Sequence, residues 1–332
     1  MKYVKLVPVL AATLLLSACG DKAISAKKPS FAKEGNEIQF EAFVEAMNKE
    51  DLLGFFSSGD PTKLESYSAK GTLSVEQIST RKAGEKVKAK ETDLQVSSMD
   101  LQDDIEHRVV KMNETIEQHL TGKGPSSEYE QTDKMGYDMT YQVSDVEGKK
   151  SFVGLLESEK IYAVAQDLTS VSEDDITLIF QQLGFSAGTE FISPDWSNDI
   201  SPLVAYWDTT PEEMRAKYKF FQNGEIYTVI YQEKVTDELK DSNDQLVSSS
   251  ELTMEYKYQL DISKGASFKS KTSKVEKSVI KFEQDTTYNG TQYYAGESLE
   301  QENNSYFDAA VQVKKLNLKA VDLSKYTKRD SL

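Results

Sequence analysis

Cysteine is almost absent from this chain of 332 residues, in which Cys19 is the only one. An intramolecular disulfide is therefore excluded, and so is a zinc site built from several cysteines. Histidine is nearly as scarce: His107 and His119 are the only two, and their spacing matches no zinc-binding pattern. We predict no metal site and no cofactor, and we expect packing alone to stabilise the fold.

Basic residues are also in deficit, with 39 Lys and Arg against 55 Asp and Glu. Removal of residues 1–18, which contain Lys2 and Lys5 and no acid, would change the net charge from −16 to −18. Proteins that bind nucleic acid carry basic patches, so this excess of acid argues against a nucleic acid as partner. No apolar run after residue 18 approaches the roughly 20 residues of a transmembrane helix, and none is predicted.

The amino-terminal residues have a pattern of their own. Lys2 and Lys5 precede an apolar run of 11 residues, Leu6–Leu16, which is too short to cross a bilayer and is typical of a signal peptide. Small residues follow, and Leu16-Ser17-Ala18-Cys19 resembles the lipobox of bacterial lipoproteins. The alternative is an incidental thiol behind an ordinary signal peptide.

The lipobox resemblance implies a lipid modification and a cellular location for the protein. It implies cleavage after Ala18 and attachment of a diacylglycerol and palmitate-type acyl chains at Cys19, so that the membrane is a partner through this anchor. The implied location is the extracytoplasmic face of the cell membrane, and Cys19-Gly20 at the processing site is typical of a Gram-positive bacterium. Two or more acyl chains anchor a protein stably, whereas one chain is marginal.

Residues 19–36 are predicted to be a flexible, lipidated tether. The segment is rich in Lys, Ala, Ser and Gly, contains Pro29, and has no apolar period. Such a tether would have a root-mean-square reach of about 20–25 Å. Its lysines could lie against anionic head groups or only keep the segment solvated.

The remainder, residues 37–332, is predicted to be a single β-rich domain. Apolar residues recur with helical spacing between residues 37 and 56. This stripe consists of Phe40, Phe43, Val44 and Met47. Alternation with a period of two then predicts two blocks of strands around a helical segment. The predicted ranges are 64–166 for the first block, 172–217 for the helices and 218–323 for the second block.

Local signals refine this interpretation. Glu147-Gly148 and Asn223-Gly224 lie between alternating segments and predict tight hairpins. The apolar positions change phase between Val96 and Met99, which predicts a β-bulge. Apolar side chains at Leu316 and Leu318 predict a late strand. Short connections and one polar face predict antiparallel pairing.

We therefore expect an α+β fold: a large curved antiparallel sheet, similar to half of a barrel, with an amino-terminal helix and two central helices on one face. A sheet of ten or more strands must curl or split, so one curved sheet and two packed halves both stay open. The element order resembles the periplasmic lipoprotein carriers LolA and LolB and the mycobacterial lipoproteins LppX and LprG. That resemblance implies a half-barrel whose helices cover an apolar cavity.

Two predicted strands carry alternating aromatic and methionine side chains that could line such a cavity. They are Tyr137, Met139 and Tyr141 on one strand and Met254, Tyr256 and Tyr258 on the other. The alternative is that they belong to the ordinary core of the sheet. We predict a non-enzymatic binding or carrier protein for an apolar small molecule, a lipid or an envelope partner. The alternatives are a structural or interaction lipoprotein with a filled core, and a carboxylate-dependent envelope hydrolase; the oligomeric state stays open.

The sequence contains one segment that resembles a catalytic motif. Gly184-Phe185-Ser186-Ala187-Gly188 fits the G-x-S-x-G nucleophile motif of α/β-hydrolases. That motif requires a strand before the serine and a histidine later in the chain. A helical stripe precedes it here, and both histidines lie upstream. We therefore predict no catalytic residue.

Overall fold

The computed structural model describes residues 24–49, 66–125, 127–191, 199–264 and 267–332. The predicted signal peptide and the predicted lipid attachment site Cys19 lie outside these ranges. So does the end of the helix predicted for residues 37–56.

The described residues form fifteen strands, four α-helices and two short 3-10 helices. The strands are β1 (Asn36–Ile38), β2 (Tyr67–Ala83), β3 (Lys86–Asp104), β4 (Val109–Lys123), β5 (Glu128–Val146), β6 (Lys149–Leu156), β7 (Ile161–Asp167), β8 (Tyr218–Asn223), β9 (Ile226–Lys240), β10 (Leu246–Lys264), β11 (Ser267–Phe282), β12 (Thr286–Tyr288), β13 (Thr291–Tyr293), β14 (Glu297–Val313) and β15 (Thr327–Arg329). The helices are α1 (Phe40–Lys49), α2 (Glu173–Phe191), α3 (Ser201–Ala205) and α4 (Glu212–Arg215), with 3-10 helices at Trp207–Thr209 and Leu323–Lys325.

Thirteen strands form one sheet in the order β1-β8-β9-β10-β11-β14-β2-β3-β4-β5-β6-β7-β15. Neighbouring strands are antiparallel as predicted, except that β15 runs parallel to β7. The two strand blocks meet where β14 pairs with β2, from Glu297 opposite Ala83 to Val313 opposite Tyr67. The two strand blocks therefore form one sheet and not two packed halves, while β12 and β13 pair with each other in a separate two-stranded sheet.

The predicted α+β half-barrel is wrong, because the protein is mostly β and its sheet is open. The sheet ends at β1 and β15, which do not pair with each other. Both edge strands have only three residues, and short edge strands limit unwanted pairing without closure of the sheet. The segment predicted as two central helices contains one helix of 19 residues, α2, followed by helices of five and four residues.

Both predicted hairpins are confirmed. Val146 pairs with Lys149, which leaves Glu147 and Gly148 as a two-residue turn with φ of 57° and 79°. Positive φ at both central positions matches the right-handed twist of the flanking strands. The strands β8 and β9 also form a hairpin, but Asn223 pairs with Ile226, so the two-residue turn is Gly224 and Glu225, one residue later than predicted. Of these two residues, only Gly224 has a positive φ, of 61°.

The sheet has two faces of different composition, because side chains alternate along each strand. We call the face that packs against α1 and α2 the inner face, and the opposite face the outer face. On β2, Tyr67, Ala69 and Leu73 join the core of the inner face. Ser74 lies on the outer face of the same strand.

A continuous apolar core fills the space between the described helices and the inner face. The predicted stripe of α1 is confirmed at Phe43 and Met47, which are fully buried. Ile176 and Phe180 of α2 are also fully buried. Full burial of such a side chain contributes about 1.5–3 kcal/mol, so these side chains account for much of the docking of both helices.

The predicted bulge in β3 is absent, although the apolar phase does change there. The pairing of β3 with β2 stays in register from Leu94 to Leu101. The apolar side chains change face instead, because Leu94 and Val96 lie on the outer face whereas Met99 and Leu101 pack into the inner core. A strand that buries one face along its first part and the other face along its second part produces the same sequence pattern as a bulge.

The predicted flexible tether is wrong from residue 24 onward. Residues 24–35, which we call the amino-terminal strap, cross the outer face before β1 joins β8 at the edge. The strap contacts β2, β14, β11 and β10 in turn, through Lys27 to Ser74, Lys28 to Tyr306, Ser30 to Lys271 and Ala32 to Gln259. Most of these contacts use main-chain groups of the strap, which explains why its sequence has no apolar period.

A second segment crosses the other half of the outer face. Residues 314–326, which we call the carboxyl-terminal strap, begin where the Lys314 N–H donates to the Ser66 carbonyl at 3.1 Å. The Leu318 N–H then donates to Asp104 Oδ2 at 2.8 Å. The strand predicted around Leu316 and Leu318 is wrong, because this segment bonds to side chains and not to a neighbouring strand.

Two buried glutamines hold the straps with the same geometry. Gln259 accepts from the Ala32 N–H at 2.9 Å and donates to the Ala32 carbonyl at 3.2 Å. Gln142 accepts from the Val321 N–H at 2.6 Å and donates to the Val321 carbonyl at 2.9 Å. Each side-chain amide thus replaces one rung of a β-ladder, since it has a donor and an acceptor side by side.

Replacement of Gln142 by alanine should release the carboxyl-terminal strap. The change leaves the Val321 N–H and carbonyl without these partners, so we expect the free energy of unfolding to fall by about 2 kcal/mol. Urea unfolding measures this loss, and hydrogen exchange should be faster at the Val321 amide. Gln131→Ala is the matched control, because Gln131 is an exposed residue of the same strand. Equal losses in both variants, or unchanged exchange at Val321, would show that Gln142 does not hold the carboxyl-terminal strap.

Candidate functional site

The six predicted ligand-binding residues lie on the inner face, in two separate groups. Tyr137, Met139 and Tyr141 are on β5, and the other three are on β10. In the sheet, β10 and β5 are six strands apart. Neighbouring strands lie about 4.8 Å apart, which separates the two groups by about 29 Å along the sheet. The two groups therefore belong to different parts of the sheet.

Tyr137 has polar partners at its hydroxyl. This hydroxyl donates to Glu114 Oε2, and Ser97 Oγ donates to the other carboxylate oxygen of Glu114 at 2.6 Å. Burial, followed by the hydrogen bond to Glu114, raises the pKa of Tyr137. The hydroxyl is therefore committed to a network within the protein.

The other two β5 residues pack against their neighbours. Met139 pairs across the strands with Met112, and the ring of Tyr141 stacks on Phe152 with a centroid distance of 5.9 Å. A cavity of about 20 Å³ lies beside this group. It is lined by Met99, Asp100, Leu101, Met112, Asn113, Glu114 and Tyr137. A space of this size holds about one water molecule, which is far below the volume of a lipid.

The β10 residues are engaged in a similar way. The Tyr256 hydroxyl donates to Glu276 Oε1 on β11, and burial, followed by that contact, raises the pKa of Tyr256. The buried Tyr258 donates to Asp199 Oδ2 at 3.0 Å, and the Lys274 ammonium lies 2.5 Å from the same oxygen.

Met254 completes the β10 group, half-buried and opposite Glu233. Tyrosines of both groups have hydroxyl partners, and the rings and methionines pack against neighbouring side chains. The described inner-face residues thus fill their own space. A role for these six residues in ligand binding stays a prediction.

A larger cavity lies on the opposite side of the sheet. It is a groove of about 490 Å³ on the outer face of β14, β2, β3 and β4, and we call it the outer groove. Its polar side chains form two rows, because the strand register places them opposite one another. One row is Asp308, Thr72, Ser98 and Thr115, and the other is Lys70, Asp100 and Asn113.

The floor of the groove is made of short side chains. Thr72, Ser98 and Thr115 occupy neighbouring strands at one height, so none of them rises far above the sheet. Along the chain at β2, the amino-terminal strap is attached at Ser74 and the carboxyl-terminal strap at Ser66. The groove lies between these two attachments.

The outer groove carries both signs of charge. Lys70 Nζ lies 2.6 Å from Asp100 Oδ2, and the hydrogen bond to Asp100 raises the pKa of Lys70. Asp308 Oδ2 is 3.8 Å from Lys271 Nζ at the edge of the amino-terminal strap. Together with the hydroxyls and the Asn113 amide, the lining offers hydrogen-bond donors and acceptors to a polar ligand.

No pattern in the sequence indicates the outer groove. Thr72 and Ser98 are isolated polar positions in two alternating strands, and they become neighbours only through the pairing of β2 with β3. The one local signal is that the side chains on the outer face of β2, β3 and β4 are short where Thr72, Ser98 and Thr115 lie side by side. That signal has meaning only when the register is known.

The remaining sequence candidates are placed as follows. His107 lies in the turn before β4, with its ring Nδ1 2.9 Å from Asp104 Oδ2. His119 is buried on β4, with its ring Nδ1 2.9 Å from Thr132 Oγ1. Within the described ranges, no three metal-ligating side chains form a group. The G-x-S-x-G segment falls within the backbone of α2, so it lacks the preceding strand that a nucleophile turn requires.

None of the described helices is both long and apolar enough to cross a bilayer. No protein-family model and no curated protein matches the chain. Among solved structures, an outer membrane channel of Pseudomonas putida F1 aligns with a TM-score of 0.18 and 8% identity, over 77% of this chain and 98% of that chain. A FadL homologue of Pseudomonas aeruginosa aligns with a TM-score of 0.14 and 6% identity, over 75% of this chain and 90% of that chain. At these TM-scores neither likeness bears on the fold or the function of the chain.

Proposed function

We propose that the chain is a non-enzymatic binding protein of the bacterial cell envelope, held on the extracytoplasmic face of the membrane by acyl chains at Cys19. The anchor is supported by the signal-peptide pattern and by the lipobox resemblance of residues 16–19. The binding role is supported by one observation above all, which is the outer groove between the two straps. The groove is an open depression of about 490 Å³, so a ligand in it would keep part of its surface in water.

The lining of the outer groove favours a polar ligand that is uncharged or carries both signs of charge. Lys70 and Asn113 can donate, Asp100 and Asp308 can accept, and three hydroxyls can do both. The lining carries one ammonium, Lys70, between two carboxylates, Asp308 and Asp100, so a ligand with charge of one sign only would come close to like charge. Hydrogen bonds at several positions would fix the orientation of the ligand.

A second candidate is the structural or interaction lipoprotein, which the filled inner core favours. Phe43, Phe180 and Phe220 are buried together against the sheet, in the space where an apolar ligand was expected. A protein of this kind would use its outer surfaces for contacts and would carry no bound small molecule.

Filling the outer groove should remove its ligand. Ser98→Trp places a large ring on the groove floor, whereas Gln95→Trp places the same ring at an exposed position on the inner face of the same strand. Native mass spectrometry of protein extracted from its own membranes should show a non-covalently bound ligand on the wild type and on Gln95→Trp. Ser98→Trp should lack it.

Two results would count against this proposal. Binding in the outer groove would be contradicted if the wild type carries no bound ligand, or if Ser98→Trp retains the ligand. Either result would favour the interaction lipoprotein. The anchor is tested separately, because Cys19→Ser should release the protein from the membrane fraction. Retention of Cys19→Ser in the membrane would contradict the acyl anchor.

A further inference from the structure

We propose that the outer face of the sheet, around the outer groove, is the surface that rests against the lipid head groups of the membrane. This proposal depends on the proposed acyl anchor at Cys19, and it adds which side of the folded body the anchor holds down.

The strap is attached at the centre of the sheet. The Lys27 N–H donates to Ser74 Oγ at 2.9 Å, and Ser74 is fully buried beneath the strap. Ser74 belongs to β2, which is the seventh of the thirteen strands. From Lys27 the strap runs toward the β1 edge, so the chain before Lys27 begins from the middle of the outer face.

The chain between Cys19 and Lys27 is too short to bring the anchor to the other face. The eight residue steps from Cys19 to Lys27 span at most about 26–29 Å when fully extended. Either edge of the sheet is six strands from β2, a distance of about 29 Å. The nearer end of β2, at Tyr67, is seven residues from Ser74, or about 24 Å along the strand. To reach the inner face, the chain would have to cover one of these distances and then pass around the sheet, which adds on the order of 10 Å. An acylated Cys19 therefore stays on the outer side of the sheet.

The surface around the strap carries clusters of lysine, although the whole protein has a negative net charge. The strap contains three lysines against Glu34 as its one acid. On β11, two strands from β2, the outward positions include Lys269, Lys271, Lys277 and Lys281 and no acid within the described strand. Two of these lysines pair with acids of β14: Lys271 Nζ is 3.8 Å from Asp308 Oδ2, and Lys277 Nζ is 3.6 Å from Glu302 Oε2.

Basic groups near a membrane surface are attracted to anionic lipids by about 1 kcal/mol each. In a chain with a net charge of −16, the strap lysines and the lysine row of β11 give anionic head groups basic groups to contact beside the anchor. The outer groove, next to the strap, would then open toward the head groups. Its ligand would be reached from the membrane surface.

The orientation can be measured with two labels that differ only in face. Ser98 and Gln95 are both exposed on β3, three residues apart, with Ser98 on the outer face and Gln95 on the inner face. Lipidated full-length Ser98→Cys and Gln95→Cys proteins would each carry an environment-sensitive fluorophore. They would be bound to vesicles of phosphatidylcholine and phosphatidylglycerol that contain a lipid with a nitroxide on its head group.

We expect the label at position 98 to be quenched at least about two-fold more strongly, since the sheet and the layer behind it hold position 95 on the order of 10 Å farther from the head groups. Equal quenching, or stronger quenching at position 95, would overturn the orientation. Both labelled proteins should also be prepared with Cys19→Ser. If these bind the vesicles as well as the lipidated proteins do, the proposed anchor fails. If only the lipidated proteins bind but position 95 is quenched as strongly as position 98, the orientation alone fails.

Discussion

Replacing Asp103 by asparagine should flatten the pH dependence of stability between pH 5 and pH 7, by about 3 kcal/mol over those two units. Asp103 is completely buried on the inner face of β3, between Tyr67 and Val110 of the neighbouring strands. Neither of its carboxylate oxygens has a hydrogen-bond partner within the described part of the chain. Burial, with a smaller effect of the Asp104 charge, raises the pKa of Asp103 to about 8.

The sign of the effect follows from proton binding in the two states. An aspartate in an unfolded chain has a pKa of about 3.9, so between that value and about 8 the folded state holds a proton that the unfolded state releases. The stability that depends on this proton is fully present below the unfolded pKa and is lost as the pH rises through the folded pKa. The free energy of unfolding should therefore fall by about 1.4 kcal/mol per pH unit in this window.

Asparagine has no proton to lose, so the Asp103→Asn variant should not show this fall. Its amide remains a polar group in a dry site and lowers stability by the same amount at every pH, which shifts the curve without changing its slope. Urea unfolding at pH 5, 6 and 7 measures the slope directly. Asp237→Asn makes the same chemical change at an exposed position of β9 and should retain the slope of the wild type. An unchanged slope in Asp103→Asn would show that the buried carboxyl is not the source.

Replacing Glu297 by glutamine should lower the free energy of unfolding by about 3 kcal/mol at neutral pH, because it leaves two cations beside a buried neutral group. The Glu297 side chain is only 2% exposed. Its carboxylate accepts from Arg81 Nη2 at 2.5 Å and from the Lys88 ammonium. The Arg81 guanidinium also lies 4.5 Å from the ring centre of Tyr293 and donates to the Gln292 carbonyl at 2.7 Å. This cluster holds the small β12–β13 hairpin against β14.

The pH dependence at Glu297 has the opposite sign to that at Asp103. Burial alone would raise the pKa of Glu297, but the hydrogen bonds from Lys88 and Arg81 outweigh burial and lower the pKa to about 2. The stabilisation is present above the ordinary glutamate value and is lost as the pH falls from there toward 2. Glu297→Gln should therefore lack that part of the acid-induced loss of stability.

The matched control for Glu297 is Glu300→Gln on the same strand. Glu300 pairs with Lys82 at 2.7 Å, but its side chain is 39% exposed. An exposed pair contributes about 0–1 kcal/mol, so this variant should unfold close to the wild type. Denaturant unfolding at neutral pH and at about pH 3 distinguishes the two variants. Similar losses in both would show that burial of Glu297 does not control the strength of its ion pairs.

Several features follow from the sequence alone, because each depends on residues that are close together in the chain. The stripe of Phe43 and Met47 predicts α1, and Glu147-Gly148 between two alternating segments predicts the β5–β6 hairpin. Alternation predicts the strands on either side. The signal-peptide pattern before Cys19 and the scarcity of cysteine are also properties of the sequence, and they carry the proposed address.

The straps and the outer groove were decided only by the tertiary structure. The amino-terminal strap has no apolar period, since Ala32 is held by the amide of Gln259, which is far away in the chain. Thr72 and Ser98 become neighbours only when β2 pairs with β3, and the junction of β14 with β2 brings the two strand blocks into one sheet. Periodicity reports which side of its own strand a residue occupies, but it carries no information about which strand lies alongside. The physical reason is that a hydrogen-bonded ladder is equally available to many partners, and only the packing of the whole chain selects one.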